Sequence, residues 1–221
     1  MSLRRCSEAR PTSLITALLL AVLLVLGGCA SGGKVADSPR AEPARAQAQL
    51  ANAEEVPPEA LTLYEQATSV LAAGDLVEAE FRFEEFVLQY PGMPGAHVNL
   101  AIIHARNGND DAAEDSLTDA LLLDPQHVAG LNQLGMLLRR QGRFEDAESA
   151  YLRALEADPG YVLAHYNLGV LYELYLRRLE PALEHFEWYQ SLGGSDEAVE
   201  KWIVDLKRRI AADQRAANVT E

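Results

Sequence analysis

Cysteine is almost missing from this chain: Cys6 and Cys29 are the only two among 221 residues. Nothing after residue 29 can therefore form a disulfide, supply a thiolate to a metal or act as a thiol nucleophile. Basic residues are also scarce. Nineteen Lys and Arg stand against 33 Asp and Glu, a net charge of −14. Without a basic stripe a protein cannot displace the counterions of phosphates, which excludes a nucleic-acid partner. Hydrophobic runs are short with one exception, Leu14 to Leu26, where 13 residues include only Thr16 as a polar one. The five histidines are His97, His104, His127, His165 and His185. His97 and His104 lie two helical turns apart, which is not the spacing of a helical zinc pair, and no cysteine or paired acid completes a ligand set. There is no Gly-Lys-Ser/Thr phosphate loop and no Gly-x-Ser-x-Gly elbow. The acidic pairs Glu84-Glu85 and Asp110-Asp111 read as solvated helix faces and first turns. No metal, no cofactor and no enzymatic chemistry are expected.

What the chain does have is a repeat. Gly74, Gly108 and Gly142 recur every 34 residues, as do Ala79, Ala113 and Ala147, and Pro91, Pro125 and Pro159. A period of this size marks a solenoid of stacked supersecondary units. Within the unit from Pro94 to Pro125, residues 94–106 carry Val98, Ala101, Ile102 and Ala105 on one helical face. Asn107-Gly108-Asn109 is a turn, with Gly108 suited to the left-handed conformation that ends a helix. A second helix starts at Asp110, buries Ala113, Leu117, Ala120 and Leu121, and stops at Asp124-Pro125, because a residue before proline is pushed away from helical angles. The alanines of the second series let the paired helices approach, and Phe83, Leu117 and Tyr151 fill the space beside them.

The pattern resembles the tetratricopeptide repeat (TPR) family. That family has a small residue at the eighth position of each unit, here Ala101, Gly135 and Gly169; alanine at the twentieth, here Ala79, Ala113 and Ala147; and alanine at the twenty-seventh, here Ala120 and Ala154, where the first unit departs with Phe86. The resemblance implies an all-α, right-handed superhelical solenoid of about four helical hairpins. They span 57–193, as units near 60–93, 94–127, 128–161 and 162–193. The fourth unit opens with His165-Tyr166-Asn167-Leu168-Gly169 and then departs. No glycine marks its turn, and Ala182 follows Ala147 by 35 residues. The extra residue is placed in the turn at Tyr175 to Leu179, with Pro181 as the first residue of the next helix. A capping helix is expected at 194–211. Ser195 would be its N-cap, Val199, Trp202, Ile203, Leu206 and Ile210 its apolar stripe, and Lys207, Arg208 and Arg209 its last turn. Residues 212–221 read as a disordered tail.

The first 28 residues read as an address. Arg4, Arg5 and Arg10 precede an apolar core too short to be a transmembrane span, followed by Leu26-Gly27-Gly28-Cys29. This resembles the bacterial lipobox and implies a lipoprotein signal peptide, 1–28, with Cys29 lipidated. Two acyl chains already give stable anchoring. Ala30, which stands where an inner-membrane lipoprotein carries aspartate, implies an outer-membrane location facing the periplasm. Without Arg4, Arg5, Arg10 and Glu8, the remaining 193 residues keep 16 basic and 32 acidic residues, a net charge of −16. Residues 29–56, rich in Ala, Gly, Ser, Pro and charge, read as a flexible tether.

In the TPR family the first helices line the inner wall of the solenoid. The resemblance therefore places Asn99, Gln133 and Asn167, again 34 apart, in a row of carboxamides that can pair with the backbone of an extended peptide, with Asn132 beside them. Arg106, Arg139 and Arg140 would grip a carboxylate or an acidic segment. Val98, Ile102, Met136 and Tyr166 would add apolar contact. The expected function is a membrane-anchored scaffold that binds a partner polypeptide in this groove. TPR lipoproteins of this kind include factors that assemble type IV pili and secretins. An accessory or regulator of a cell-wall enzyme or of an energy-transducing trans-envelope complex is the alternative, and an undetected enzyme the remote one. The two open ends of the array permit self-association.

Overall fold

In the computed structural model, residues 56–219 are described, and helix alternates with short turns throughout them. The helices are α1 (Pro58–Ala73), α2 (Leu76–Gln89), α3 (Pro94–Arg106), α4 (Asp110–Leu123), α5 (Val128–Arg140), α6 (Phe144–Ala157), α7 (Val162–Val170), α8 (Leu179–Ser191) and α9 (Glu197–Val219). The signal segment, Cys29 and the tether up to residue 55 lie outside the described residues. No helix among the described residues is long and apolar enough to cross a membrane.

Local chemistry sets the hairpins. Gly74, Gly108 and Gly142 adopt φ of 87°, 80° and 80° with open space where a Cβ would stand, so their conformation and not crowding requires glycine. Asp124 and Asp158 leave their helices in extended conformation immediately before Pro125 and Pro159. Asp75 caps α2 by accepting from the Glu78 amide at 3.1 Å, and His127 caps α5 by accepting from the Gly130 amide at 3.0 Å through Nδ1. The pairs α1–α2, α3–α4, α5–α6 and α7–α8 pack as four hairpins. First helices of neighbouring hairpins touch, and each second helix meets the next first helix. The result is an all-α solenoid of stacked helical hairpins.

Closeness within a hairpin is set by one small position facing one large one. A Cβ on Gly135 would stand 2.5 Å from the Tyr151 ring, and one on Gly169 would stand 2.5 Å from the Phe186 ring. The second hairpin meets the same need with Ala101 and Leu117, both buried. Burial is distributed as a succession of clusters. One lies around Ala67, Phe83 and Ile103, one around Ala113 and Leu117, and a larger one around Tyr151, Leu168, Phe186 and Leu206. That is the quasi-one-dimensional core of a repeat array. Each large side chain taken fully from water contributes about 1.5–3 kcal/mol.

Three expectations about the C-terminal part are corrected. The surplus residue of the fourth unit does not lengthen a turn; it is taken up as a π-helical segment, Leu171–Leu176, that continues α7. A wider helical turn admits one more residue while Leu171 and Tyr172 stay buried. The segment ends at Arg177 in the left-handed conformation (φ 53°), so α8 begins at Leu179 and Pro181 is its third residue. Second, Asp196 and not Ser195 binds the start of α9, accepting from the Ala198 amide at 2.8 Å. Third, α9 runs on to Val219, so 212–219 of the expected disordered tail are helical and Lys207, Arg208 and Arg209 lie in mid-helix, while 220–221 lie outside the described residues. Residues 211–219 contain three further alanines after Ala211 and no glycine or proline to stop a helix. Lys207 pairs with Glu187 of α8 at 2.7 Å, and Arg209 pairs with Glu173 of the π segment at 2.9 Å.

Candidate functional site

Between the second and third hairpins lies a cavity of about 310 Å³. Ala101 and Ala105 of α3 and Leu117 of α4 give it an apolar floor, since small side chains leave the space unfilled. Gln133, Met136 and Arg139 line it from α5, and Tyr175 reaches it from the π segment of the fourth unit. Among the expected groove residues, Gln133, Met136, Arg139 and Arg140 are thus brought together.

The two adjacent arginines of α5 are in different states. Arg140 is fastened. Its guanidinium donates to both Asp110 carboxylate oxygens, and Nη1 donates to the Ala105 carbonyl at 3.0 Å. Arg143, in the following turn, is held by Glu114 at 2.8 Å and Asp146 at 3.0 Å. Arg139 has no such acid. Its Nη1 is buried with no hydrogen-bond partner. Its guanidinium carbon lies 6.0 Å from the centre of the Tyr175 ring, within reach of a cation–π attraction. The Tyr151 hydroxyl, on a fully buried side chain, is also without a partner. Burial pushes the Tyr151 phenol up to about 12, against the opposing pull of the Arg139 charge.

The carboxamide row is not what the structure contains. Asn167 donates to the Asn132 oxygen at 2.9 Å, and both are buried (5% and 1% exposed). They tie α5 to α7 and present no wall to a ligand. Asn99 donates to the Tyr64 hydroxyl at 2.8 Å and ties α3 to α1. Only Gln133 of the row lines the cavity. The reason is register: stacked first helices bury Asn132 and Asn167 and half-bury Asn99 against neighbouring hairpins, and an amide taken from water must find a partner. Val98 is likewise core, 5% exposed, with Ile102 packed against its cluster. Tyr166 belongs to the C-terminal aromatic group, 5.4 Å from Tyr189 and 6.3 Å from Trp202 between ring centres. Arg106 is exposed and stands outside the cavity lining.

Two features escaped the sequence. Tyr175 was visible only as part of the surplus in the fourth unit, and Tyr151 read as plain core. The other is a pair of imidazoles twenty residues apart. His165 Nδ1 and His185 Nδ1 are 3.0 Å apart, and His165 Nε2 is 3.1 Å from the Pro159 carbonyl. A carbonyl only accepts, so Nε2 of His165 carries the proton and its Nδ1 accepts from His185. Burial, and then the neighbouring His165, lower the pKa of His185 to about 4.

The family model of the cilia and flagella-associated protein 70 middle TPR-like domain matches residues 63–179. No curated protein matches the sequence. Several solved structures are similar. PilF of Pseudomonas aeruginosa is 24% identical with a TM-score of 0.63, over 71% of this chain and 72% of that one. MamA of Desulfovibrio magneticus is 20% identical with a TM-score of 0.58, over 74% of this chain and 92% of that one. YrrB, a TPR protein with an unusual peptide-binding site, is 23% identical with a TM-score of 0.52, over 67% and 74%. At these identities the likeness establishes a common fold.

Proposed function

The chain belongs to the TPR-like family of the cilia and flagella-associated protein 70 middle domain, and from that premise we propose that it is an outer-membrane lipoprotein whose solenoid holds a partner polypeptide for assembly or stabilisation of an envelope complex. A protein-interaction scaffold follows from the family and the fold. The finer reading draws on the Leu26-Gly27-Gly28-Cys29 sequence for the anchor, on Ala30 for the outer membrane, and on the resemblance to TPR lipoproteins of pilus and secretin assembly for the pathway. The observation that carries the binding reading is the cavity on α5, where Gln133, Met136 and Arg139 meet Tyr175. A carboxamide there can serve a peptide backbone of any sequence, as donor and acceptor. YrrB, with its peptide-binding site, shows that this fold can carry such a site. The action is noncovalent: the array positions the partner and the acyl chains hold the complex at the membrane.

Two measurements test this in cells. Palmitate labelling should mark the wild-type chain and vanish in Cys29→Ser. A photo-crosslinking residue at Gln133 or Met136 should trap a secretin or pilus component, whereas one at Leu88 on α2 should not. Trapping of a cell-wall enzyme instead would transfer the role to the alternative stated above. Absence of any adduct from both cavity positions would refute the groove.

A further inference from the structure

Five of the described arginines are matched to acids. Arg82 pairs with Glu78, Arg140 with Asp110, Arg143 with Glu114 and Asp146, Arg178 with Glu148, and Arg209 with Glu173. Acids outnumber basic residues in the chain, 33 to 19. Arg139 has none; it lines the cavity beside the acid-paired Arg140, and among the described arginines it is the one with a buried guanidinium nitrogen, Nη1, left unbonded. A buried guanidinium donor without an acceptor costs about 1–3 kcal/mol, and more for a charged group. The Tyr151 hydroxyl, close enough to feel the Arg139 charge, is also buried without a partner. Tyr175 is held over the guanidinium by the π segment, a departure from the repeat that no other hairpin contains. An orphaned guanidinium donor and an aromatic lid above a floor of Ala101, Ala105 and Leu117 define the chemistry of what is missing: one anionic acceptor carried on a short apolar stem.

We infer that the Arg139–Tyr175 cavity receives the carboxylate of a single Asp or Glu side chain on a partner segment that lies along the groove. The inference rests on the groove reading above and gives it a specificity. The position favours a side chain over a chain end, because the cavity lies between the second and third of four hairpins, and a segment following the groove passes across it. Its volume, near the lower limit of ligand pockets, suits one side chain. The charge of the whole molecule limits the partner further. A run of acids would be repelled by a chain with 33 Asp and Glu against 19 Lys and Arg. An isolated carboxylate flanked by neutral or basic residues gains the half-buried Arg139, where screening is weaker than at the surface, and avoids that repulsion.

The test uses the full chain in detergent micelles, immobilised and exposed to two pools of randomised heptapeptides, one blocked at both ends and one with a free C-terminus. Bound peptides are sequenced by mass spectrometry. The expected result is enrichment, in both pools, of peptides with one Asp or Glu. That selection should fall at least about tenfold in Arg139→Gln, as for loss of a charge-assisted hydrogen bond, fall less in Tyr175→Ala, and persist in Arg208→Gln on α9. Arg139→Met should melt no lower than wild type, because it removes an unpaired polar group. A sharply lower melting point would make Arg139 structural and overturn the site. Enrichment indifferent to carboxylates, or unchanged in Arg139→Gln, would overturn the site and leave the groove standing. Carboxylate selection confined to the free-C-terminus pool would reassign the cavity to a chain end. No enrichment in either pool would overturn both readings.

Discussion

The second and third hairpins have one backbone and different side chains; the fourth has a different backbone. Where the backbone repeats, the contact between paired helices is conserved by exchange. Ala101 meets Leu117 in the second hairpin, and Gly135 meets Tyr151 in the third, the smaller residue facing the larger ring. Where one residue is added, the helix widens over Leu171–Leu176, Gly169 still meets Phe186, and the surplus appears at the surface as Tyr175. The regular hairpins supply the apolar floor and the arginine. The irregular one supplies the lid. Repetition makes the scaffold, and the deviation from it makes one cavity different from the others.

The comparison can be broken most severely at the fourth hairpin. Phe186→Ala empties the space over Gly169 at the centre of the largest buried cluster and should cost about 3–5 kcal/mol. Because contacts in an array are with neighbours, hydrogen exchange should accelerate first in α7, α8 and α9 and least in α1. A uniform acceleration across all helices would contradict the segmented core. Gly135→Ala pushes a methyl group into the Tyr151 ring and should lower stability by about 1–3 kcal/mol. The double change Gly135→Ala with Tyr151→Leu rebuilds the Ala101–Leu117 pairing of the second hairpin and should recover much of that loss in denaturant melts. Failure to recover would show that the hairpins are not interchangeable.

Acid should separate the fourth hairpin from the others more gently. The pKa of His185 in the folded protein, about 4, lies below the ordinary 6.5 of the unfolded chain. As pH falls from 6.5 to 4 the unfolded state takes up a proton that the folded state refuses. The stabilisation is therefore complete above pH 6.5 and is lost as pH approaches 4. After solvent screening of this partly accessible imidazole, the loss should be about 1–2 kcal/mol. His185→Gln should flatten the corresponding part of a pH–stability curve. The smallest effect belongs to Arg177, left-handed at φ 53°. Arg177→Gly should raise stability by roughly 0.5–1 kcal/mol, and the same change at Arg143, a helix-flanking residue with φ −87°, should not.

Much of the fold was readable because its rules are local. The left-handed glycines and the prolines after α4 and α6 follow from steric needs that a residue type announces, whereas the small partners of Tyr151 and Phe186 proved to be Gly135 and Gly169 and not the alanine series. The candidate site was readable only in part. Arg139, Gln133 and Met136 were found through their place in the repeat. The amides Asn99, Asn132 and Asn167 were misjudged because a carboxamide reads the same whether it faces solvent or the neighbouring hairpin. The limit of α9 was misjudged because exposed alanine-rich helix and disordered tail differ little in composition.

Sequence alone determined the period, the hairpins and the shortage of basic charge, since each depends on a residue's own geometry or on a count. The tertiary structure decided which of two adjacent arginines is satisfied, which amides are buried, and that an extra residue becomes a π turn carrying Tyr175 over Arg139. Those outcomes depend on distances between residues tens of positions apart, and such distances exist only after the hairpins have packed.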